Sequence, residues 1–241
     1  MRVPALQGII RRRILVNYRV DPDVIQRLIP VRFKPKLYEG HAIAGICLIR
    51  LEQVRPKSLP AMFGLHSENA AHRVAVTWND ERGELREGVF IPRRDTNSLL
   101  NHWVGGRLFP GEHQRARFTI REAREEIDFR MRSLDGKVAV ELLGSTATEL
   151  PKSSIFGSVA EASRFFAAGS LGYSPTRNPC RFDGMLLEIA RWQVLPLAIR
   201  SVHSSFFANA AQFPPGSAEF DHALIMRDLT HSWYSAADLV A

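Results

Sequence analysis

Polar residues that fall on apolar strand faces are the first candidates for chemistry in this sequence. Arg12 lies between Ile10 and Ile14, in a stretch where apolar and polar residues alternate. His72 shares parity with Val74, Val76 and Trp78, and Glu68 and His66 continue that parity upstream. A charge on an inward face is costly unless it is paired or borders a cavity. Arg12, Glu68 and His72 therefore read either as the lining of an internal pocket or as a strand bulge or a buried ion pair made for structure. In the first case Glu68 and His72 would bind or transfer a proton, and they are the candidate catalytic pair.

Pro92-Arg93-Arg94-Asp95 ends a strand and precedes a helix. Two adjacent guanidiniums at such a place suit a carboxylate or a phosphate. Asp95 could pair with one of them, but capping the helix is the expectation. Arg107 falls in the glycine-rich stretch 105–111, which lacks the Lys-Ser/Thr ending of a phosphate loop. It could still face a pocket. Arg12, Arg93, Arg94 and Arg107 are thus the candidate substrate-binding residues. His66, Glu68 and His72 are metal-ligand types with a spacing loosely like that of a cupin. The cupin's glycine framework and second cluster are missing, so no metal is expected. Ser204 and Ser205 lack a nucleophile-elbow motif and read as strand hydroxyls. Arg115, Arg117 and Arg121 alternate with Ala116, Phe118 and Ile120 and read as a solvated face.

The elements that must position these residues are mostly strands. Residues 9–20 alternate, with Ile10, Ile14, Val16, Tyr18 and Val20 on one face and Arg11, Arg13, Asn17 and Arg19 on the other. Asp21-Pro22 is an N-cap with proline at the first helical position, opening a helix to Leu28. The continuous apolar character of 41–54 predicts a strand buried on both faces. Residues 71–78 and 84–91 flank a turn at 79–83 and form a hairpin. A short helix over 96–104 is expected, capped by Thr96 or Asp95. Strands follow at 113–121, 126–133 and 137–146, the last two joined by Asp135-Gly136. Residues 158–167 form the best amphipathic helix, with Ser158 as its cap. Strands at 184–194, 197–207 and 220–229 end the pattern. Many short strands with few helices predict a mainly β (α+β) barrel or sandwich in one domain over 1–241.

The chain has 241 residues and a formal net charge of +7, from 32 Lys+Arg against 25 Asp+Glu. Hydrophobic residues at 45% and charged residues at 24% exclude a disordered or fibrous chain. Only 5 of the 32 basic residues are lysine. The arginines are scattered, with no block of five like charges, which argues against nucleic acid. The longest apolar run, Ala42 to Ile49, is far short of the about 20 residues a membrane helix needs. No signal peptide is expected. Cys47 and Cys180 form no CxxC motif or disulfide framework, so a cytoplasmic location is expected.

Several stretches are familiar together: 67–76 (Ser67 to Val76), 87–96 (Glu87 to Thr96), Gly105 to Pro110, Gly169 to Ser174, Ser204 to Phe207 and Phe213 to Ser217. Over nearly the whole chain the sequence resembles the YqjF-like family of unknown function, grouped with the acetoacetate-decarboxylase-like superfamily. The resemblance implies a β-barrel with flanking helices and a central pocket. It also implies a Schiff-base lysine within a Pro-Lys-Lys stretch after an aromatic residue. Here the matching stretch is Phe90-Ile91-Pro92-Arg93-Arg94, with arginine at both lysine positions. An arginine stays protonated and cannot form that imine. Lys34, Lys36, Lys57, Lys137 and Lys152 all sit in loop-like or edge contexts. An acidic pocket residue is typical of the superfamily, and Glu68 could hold a comparable place. The expectation is a protein that binds a small anionic or carbonyl metabolite, either as a non-Schiff-base lyase or isomerase or as a non-catalytic regulator. A metal-dependent enzyme is the weaker alternative. No cofactor is expected. The expected partner is a small-molecule ligand, not nucleic acid or membrane, and a homo-oligomer is compatible with the sequence.

Overall fold

The computed structural model describes residues 5–104 and 111–240. In chain order the elements are β1 (Leu6–Val20), α1 (Pro22–Leu28), β2 (Lys34–Pro35), β3 (Leu37–Tyr38), β4 (His41–Pro56), β5 (Leu65–Asn79), β6 (Leu85–Thr96), α2 (Leu99–Val104), β7 (His113–Ala123), β8 (Glu126–Ser133), β9 (Ala139–Thr146), α3 (Val159–Ala167), β10 (Leu171–Pro175), β11 (Arg181–Ile189), β12 (Leu195–Ser204), β13 (Ala218–Ser235) and β14 (Leu239–Val240). A single 3₁₀ turn, Ala61–Phe63, precedes β5. The protein is therefore mainly β with few helices, as its alternation predicts. Among the described residues no helix is long and apolar enough to cross a membrane.

Strand pairing closes two rings that share a wall. The larger runs β6–β7–β8–β9–β12–β13–β1–β4–β5 and back to β6. The smaller runs β6–β10–β11–β13–β1–β4–β5 and back to β6. Strands β13, β1, β4, β5 and β6 belong to both. The result is not one regular barrel around a central pocket. The shared wall has an interior on each side, and that explains its composition. Ile14, Ile46, Leu48, Val74 and Ile225 join one core with Phe129, Met131, Val140 and Leu142 of the larger ring. Their neighbours Leu15, Cys47, Ile49, Ala75 and Leu224 join a second core with Ala162 and Phe166 of α3. A strand buried on both faces reads as a nearly continuous apolar run.

One irregularity decides which face the first strand presents. Between Ile10 and Arg12 the β1–β4 register slips by one residue, leaving Arg11 unpaired. The bulge exchanges the faces of β1, since one extra residue reverses a period-2 pattern. Ile10 thus joins the second core with Leu15, while Arg12 and Ile14 face the larger ring. The face carrying Arg13 and Asn17 is not solvated; α3 and the second core cover it, and Asn17 is buried.

The smaller ring closes where β10 runs parallel to β6, with Gly172 beside Val89 and Tyr173 beside Phe90. Gly88 permits this approach: a Cβ there would stand 2.3 Å from the Leu171 carbonyl oxygen. Helix α1 has the expected cap, with the Asp21 carboxylate accepting from the Asp23 and Val24 amides and Pro22 in its first turn. Ser158 caps α3 by accepting from Glu161 N. Burying Phe166 of α3 against β1 and β4 contributes about 1.5–3 kcal/mol. The helix α2 differs from expectation. It starts at Leu99, Ser98 Oγ accepts from Asn101 N, and Thr96 remains in β6.

Candidate functional site

Alternation along β6 sends adjacent arginines to opposite sides of the shared wall. Arg94 stands beside Ala71, and Arg93 stands beside His72. Arg94 therefore faces the smaller ring, where it borders a cavity of about 140 Å³. The apolar walls of that cavity include Leu6, Ile49, Leu51, Val54, Met185 and Trp233. Its polar lining includes Ser67, Asn69, Asp95, Asn101 and His113. Arg94 also borders a second cavity of about 200 Å³, with Gln114 and Ser174. Arg94 is half-buried, between these two cavities.

The partners of Arg94 are few. Its Nε–H donates to Ser174 Oγ at 3.1 Å. No carboxylate of the described residues lies within ion-pair distance of it. Burial pushes its pKa down to about 10, so it stays charged at neutral pH. A buried charge without a counter-ion is expensive, and a bound anion would relieve that cost. His113 shares the cavity, and burial, then the charge of Arg94, push its pKa down to about 3.

On the other side of the wall the sequence candidates are paired. Arg12 is fully buried; its Nη2 meets Glu68 at 2.6 Å and its Nη1 meets Glu122. Glu122 also holds Arg227 at 2.7 Å, and Glu68 lies 3.9 Å from Arg50. Arg50 and Arg11 in turn reach Glu52, and Arg11 reaches Asp228. Four arginines and four carboxylates thus form one balanced network. Burial raises the Glu68 pKa, with Arg12 and then Arg50 opposing that shift. Arg93 binds Asp95 through Nε and Nη2 at 2.9 and 2.8 Å, and reaches Asp135 at 3.1 Å. Asp95 is an ion-pair partner, not the cap of α2. Its bond to Arg93 holds the Asp135 carboxyl well below the usual range.

His72 is buried against Phe206, with ring centroids 4.4 Å apart. Neither of its ring nitrogens has a hydrogen-bond partner. Burial, then Arg93, push its pKa down to about 3, so it is neutral at pH 7. The structure thus brings Arg12 together with Glu68, and Arg93 near His72, in the larger ring. Arg94 alone of these faces the cavity of the smaller ring. Arg107 lies outside the described residues. Among the described residues no three His, Cys, Asp or Glu side chains group as a metal site, and His66, Glu68 and His72 do not.

Sequence reasoning missed Arg13, Arg73, His113 and His231. All four border cavities of the smaller ring or its mouth. Arg13 and His231 line a cleft of about 700 Å³ with Trp192 and Arg55, and Arg55 also borders the Arg94 cavity. The available signal was the apolar character of both faces of β4, which requires a second interior beside β1 and β5.

A model of the family DUF2071, described as an uncharacterized conserved protein, matches residues 9–227. The chain belongs to this family. No curated protein matches the DUF2071 chain. Its fold is that of acetoacetate decarboxylase. It is similar to acetoacetate decarboxylase from Legionella pneumophila at 12% identity and TM-score 0.58, over 98% of this chain and 88% of the other. An acetoacetate decarboxylase-like enzyme from Sphingomonas wittichii RW1 gives 12% identity and TM-score 0.56, over 99% and 92%. The enduracididine biosynthesis enzyme MppR complexed with pyruvate gives 12% identity and TM-score 0.55, over 98% and 89%. No lysine of the DUF2071 chain lines the Arg94 cavity.

Proposed function

We propose that this DUF2071 chain binds a small carboxylate in the smaller ring, with Arg94 as its counter-ion and the apolar walls holding its body. The observation that carries this is the charge of Arg94. It is half-buried beside an apolar cavity and has a hydroxyl, not a carboxylate, as its partner. A mostly apolar pocket with a few placed polar groups is the usual form of a small-molecule site. MppR, a fold neighbour, is complexed with pyruvate, a small carboxylate. In this reading Glu68 and His72 belong to the scaffold of the larger ring and do not touch the ligand. The free thiols Cys47 and Cys180 fit a cytoplasmic location.

A second reading adds turnover without an imine, as a lyase or isomerase. Asp95 and His113 border the same cavity and are the groups that could accept a proton there. Thermal unfolding with a panel of aliphatic and 2-oxo monocarboxylates tests the binding. Saturable stabilisation of the wild type, lost in Arg94→Met, is expected. Stabilisation that survives in Arg94→Met would overturn the assignment. Assay of the same mixtures for product separates binding from turnover. Borohydride reduction in the presence of pyruvate should leave every lysine unmodified, and a lysine adduct would restore the imine.

A further inference from the structure

Arg13 and Arg73 stand on the same face of the shared wall, on either side of Cys47. The register places Cys47 between Leu15 and Ala71, with Arg13 beside Ile49 and Arg73 beside Gly45. Both guanidiniums border a cavity of about 30 Å³ beneath the end of α3. Arg73 is 5% exposed, and its guanidinium lies 5.0 Å from the Phe166 ring centroid. Arg13 Nε–H donates to Cys47 Sγ at 3.3 Å. Buried N–H groups of both side chains, Arg13 Nη1 and Arg73 Nε, have no hydrogen-bond partner.

The surroundings supply oxygen to Arg73 but no counter-charge. Its Nη2 donates to Asn17 Oδ1. The Asn17 amide donates to His222 Nε2 at 3.0 Å, and His222 Nδ1–H donates to Asp221. Asp221 is already engaged by Ser154, the Ile155 amide and Arg19. No carboxylate of the described residues lies within ion-pair distance of Arg13 or Arg73. Lys36 borders the same cavity and is paired with Glu87. Glu188 lines the adjoining cleft and, among the described residues, forms no ion pair with Arg13 or Arg73. Cys47 and His231 are the titratable groups beside Arg13; burial, then Arg13, push the His231 pKa down to about 4, so it adds no charge at neutral pH. The negative end of α3 offers roughly half a charge. Two full positive charges remain against it.

We propose that Arg13 and Arg73 form a site for a single small inorganic anion of chloride size. Size sets the class. A cavity of about 30 Å³ exceeds what one water-sized particle needs and leaves no room for a metabolite. The anion would meet both unpartnered N–H groups and hold the end of α3 to the sheet. This site is separate from the Arg94 cavity, and neither proposal depends on the other.

Thermal unfolding of the full chain at constant ionic strength tests it, with chloride replaced stepwise by methanesulfonate. A saturable rise in Tm of about 2–4 °C with chloride is expected, and bromide should act likewise. Arg13→Met should abolish the rise, Arg13→Lys should retain part of it, and Arg94→Met should leave it whole. Crystals soaked in bromide should show an anomalous peak between the two guanidiniums. A wild-type Tm indifferent to the exchange would overturn the site, as would a full chloride response in Arg13→Met. So would a response to acetate in the absence of any to chloride, because it contradicts the size of the cavity.

Discussion

Arg12 is fully buried and Arg94 half-buried on opposite sides of one wall, and their partners differ in kind. Arg12 meets two carboxylates inside a network that balances itself. Arg94 meets a serine hydroxyl and borders open cavities. The larger ring is filled with side chains such as Phe129, Met131 and Leu142, each buried. The smaller ring keeps a cavity and three arginines, Arg13, Arg73 and Arg94, that have no acid partner among the described residues. Burial of a charge therefore does not separate structure from function. The presence or absence of a counter-charge does, since an unpaired buried ion is tolerated where something else completes it.

The comparison can be broken most sharply at Arg12. Arg12→Met should leave Glu68 and Glu122 facing each other without their shared partner. A loss of about 3–5 kcal/mol in urea unfolding is expected. A loss below about 1 kcal/mol would mean that the network is ornamental and that Arg12 is free for another role.

His72 sharpens the same contrast through pH. Its folded pKa of about 3 lies below the ordinary histidine value of 6.5. Between those values the unfolded chain binds more protons, so stability rises with pH there and falls on acidification below 6.5. The slope from this group approaches about 1.4 kcal/mol per pH unit. His72→Leu removes no hydrogen bond and should reduce the slope between pH 3 and 6.5, with His113 and His231 keeping the remainder. An unchanged slope would show that His72 finds a partner that keeps it protonated.

The smallest effect is expected at Arg94. Without ligand, Arg94→Met removes a charge that nothing compensates, and stability should stay within about 1 kcal/mol of wild type. A loss as large as that of Arg12→Met would make Arg94 a structural residue and remove the difference between the rings.

Much of the fold was legible because it rests on local chemistry. Asp21-Pro22 and Ser158 cap the helices they were expected to cap, since a short polar side chain ahead of an apolar stretch satisfies orphan amides wherever the helix goes. The strand expected over 126–133 is Glu126–Ser133, and the long apolar strand is buried on both faces. Strands expected over 184–194 and 220–229 are instead Arg181–Ile189 and Ala218–Ser235, because both bend into the smaller ring and pair there. Strand β10 was unread, for its glycine at 172 and its two-residue pairing with β6 leave little periodic signal. Of the candidate site, Arg94 was named, whereas Arg13 and Arg73 were not, because alternation placed Arg13 on the face opposite the apolar one.

By itself the sequence determined most of the strands, the caps, the family likeness and the arginine pair that follows Pro92. Those depend on residue type and short spacing. Only the tertiary structure decided which side of the wall each arginine faces and whether a carboxylate meets it. One bulge at Arg11 reverses the parity of a whole strand. The acids that neutralise Arg12 come from 56 and 110 positions away along the chain. A counter-ion drawn from that distance leaves no mark in local periodicity, and neither does its absence.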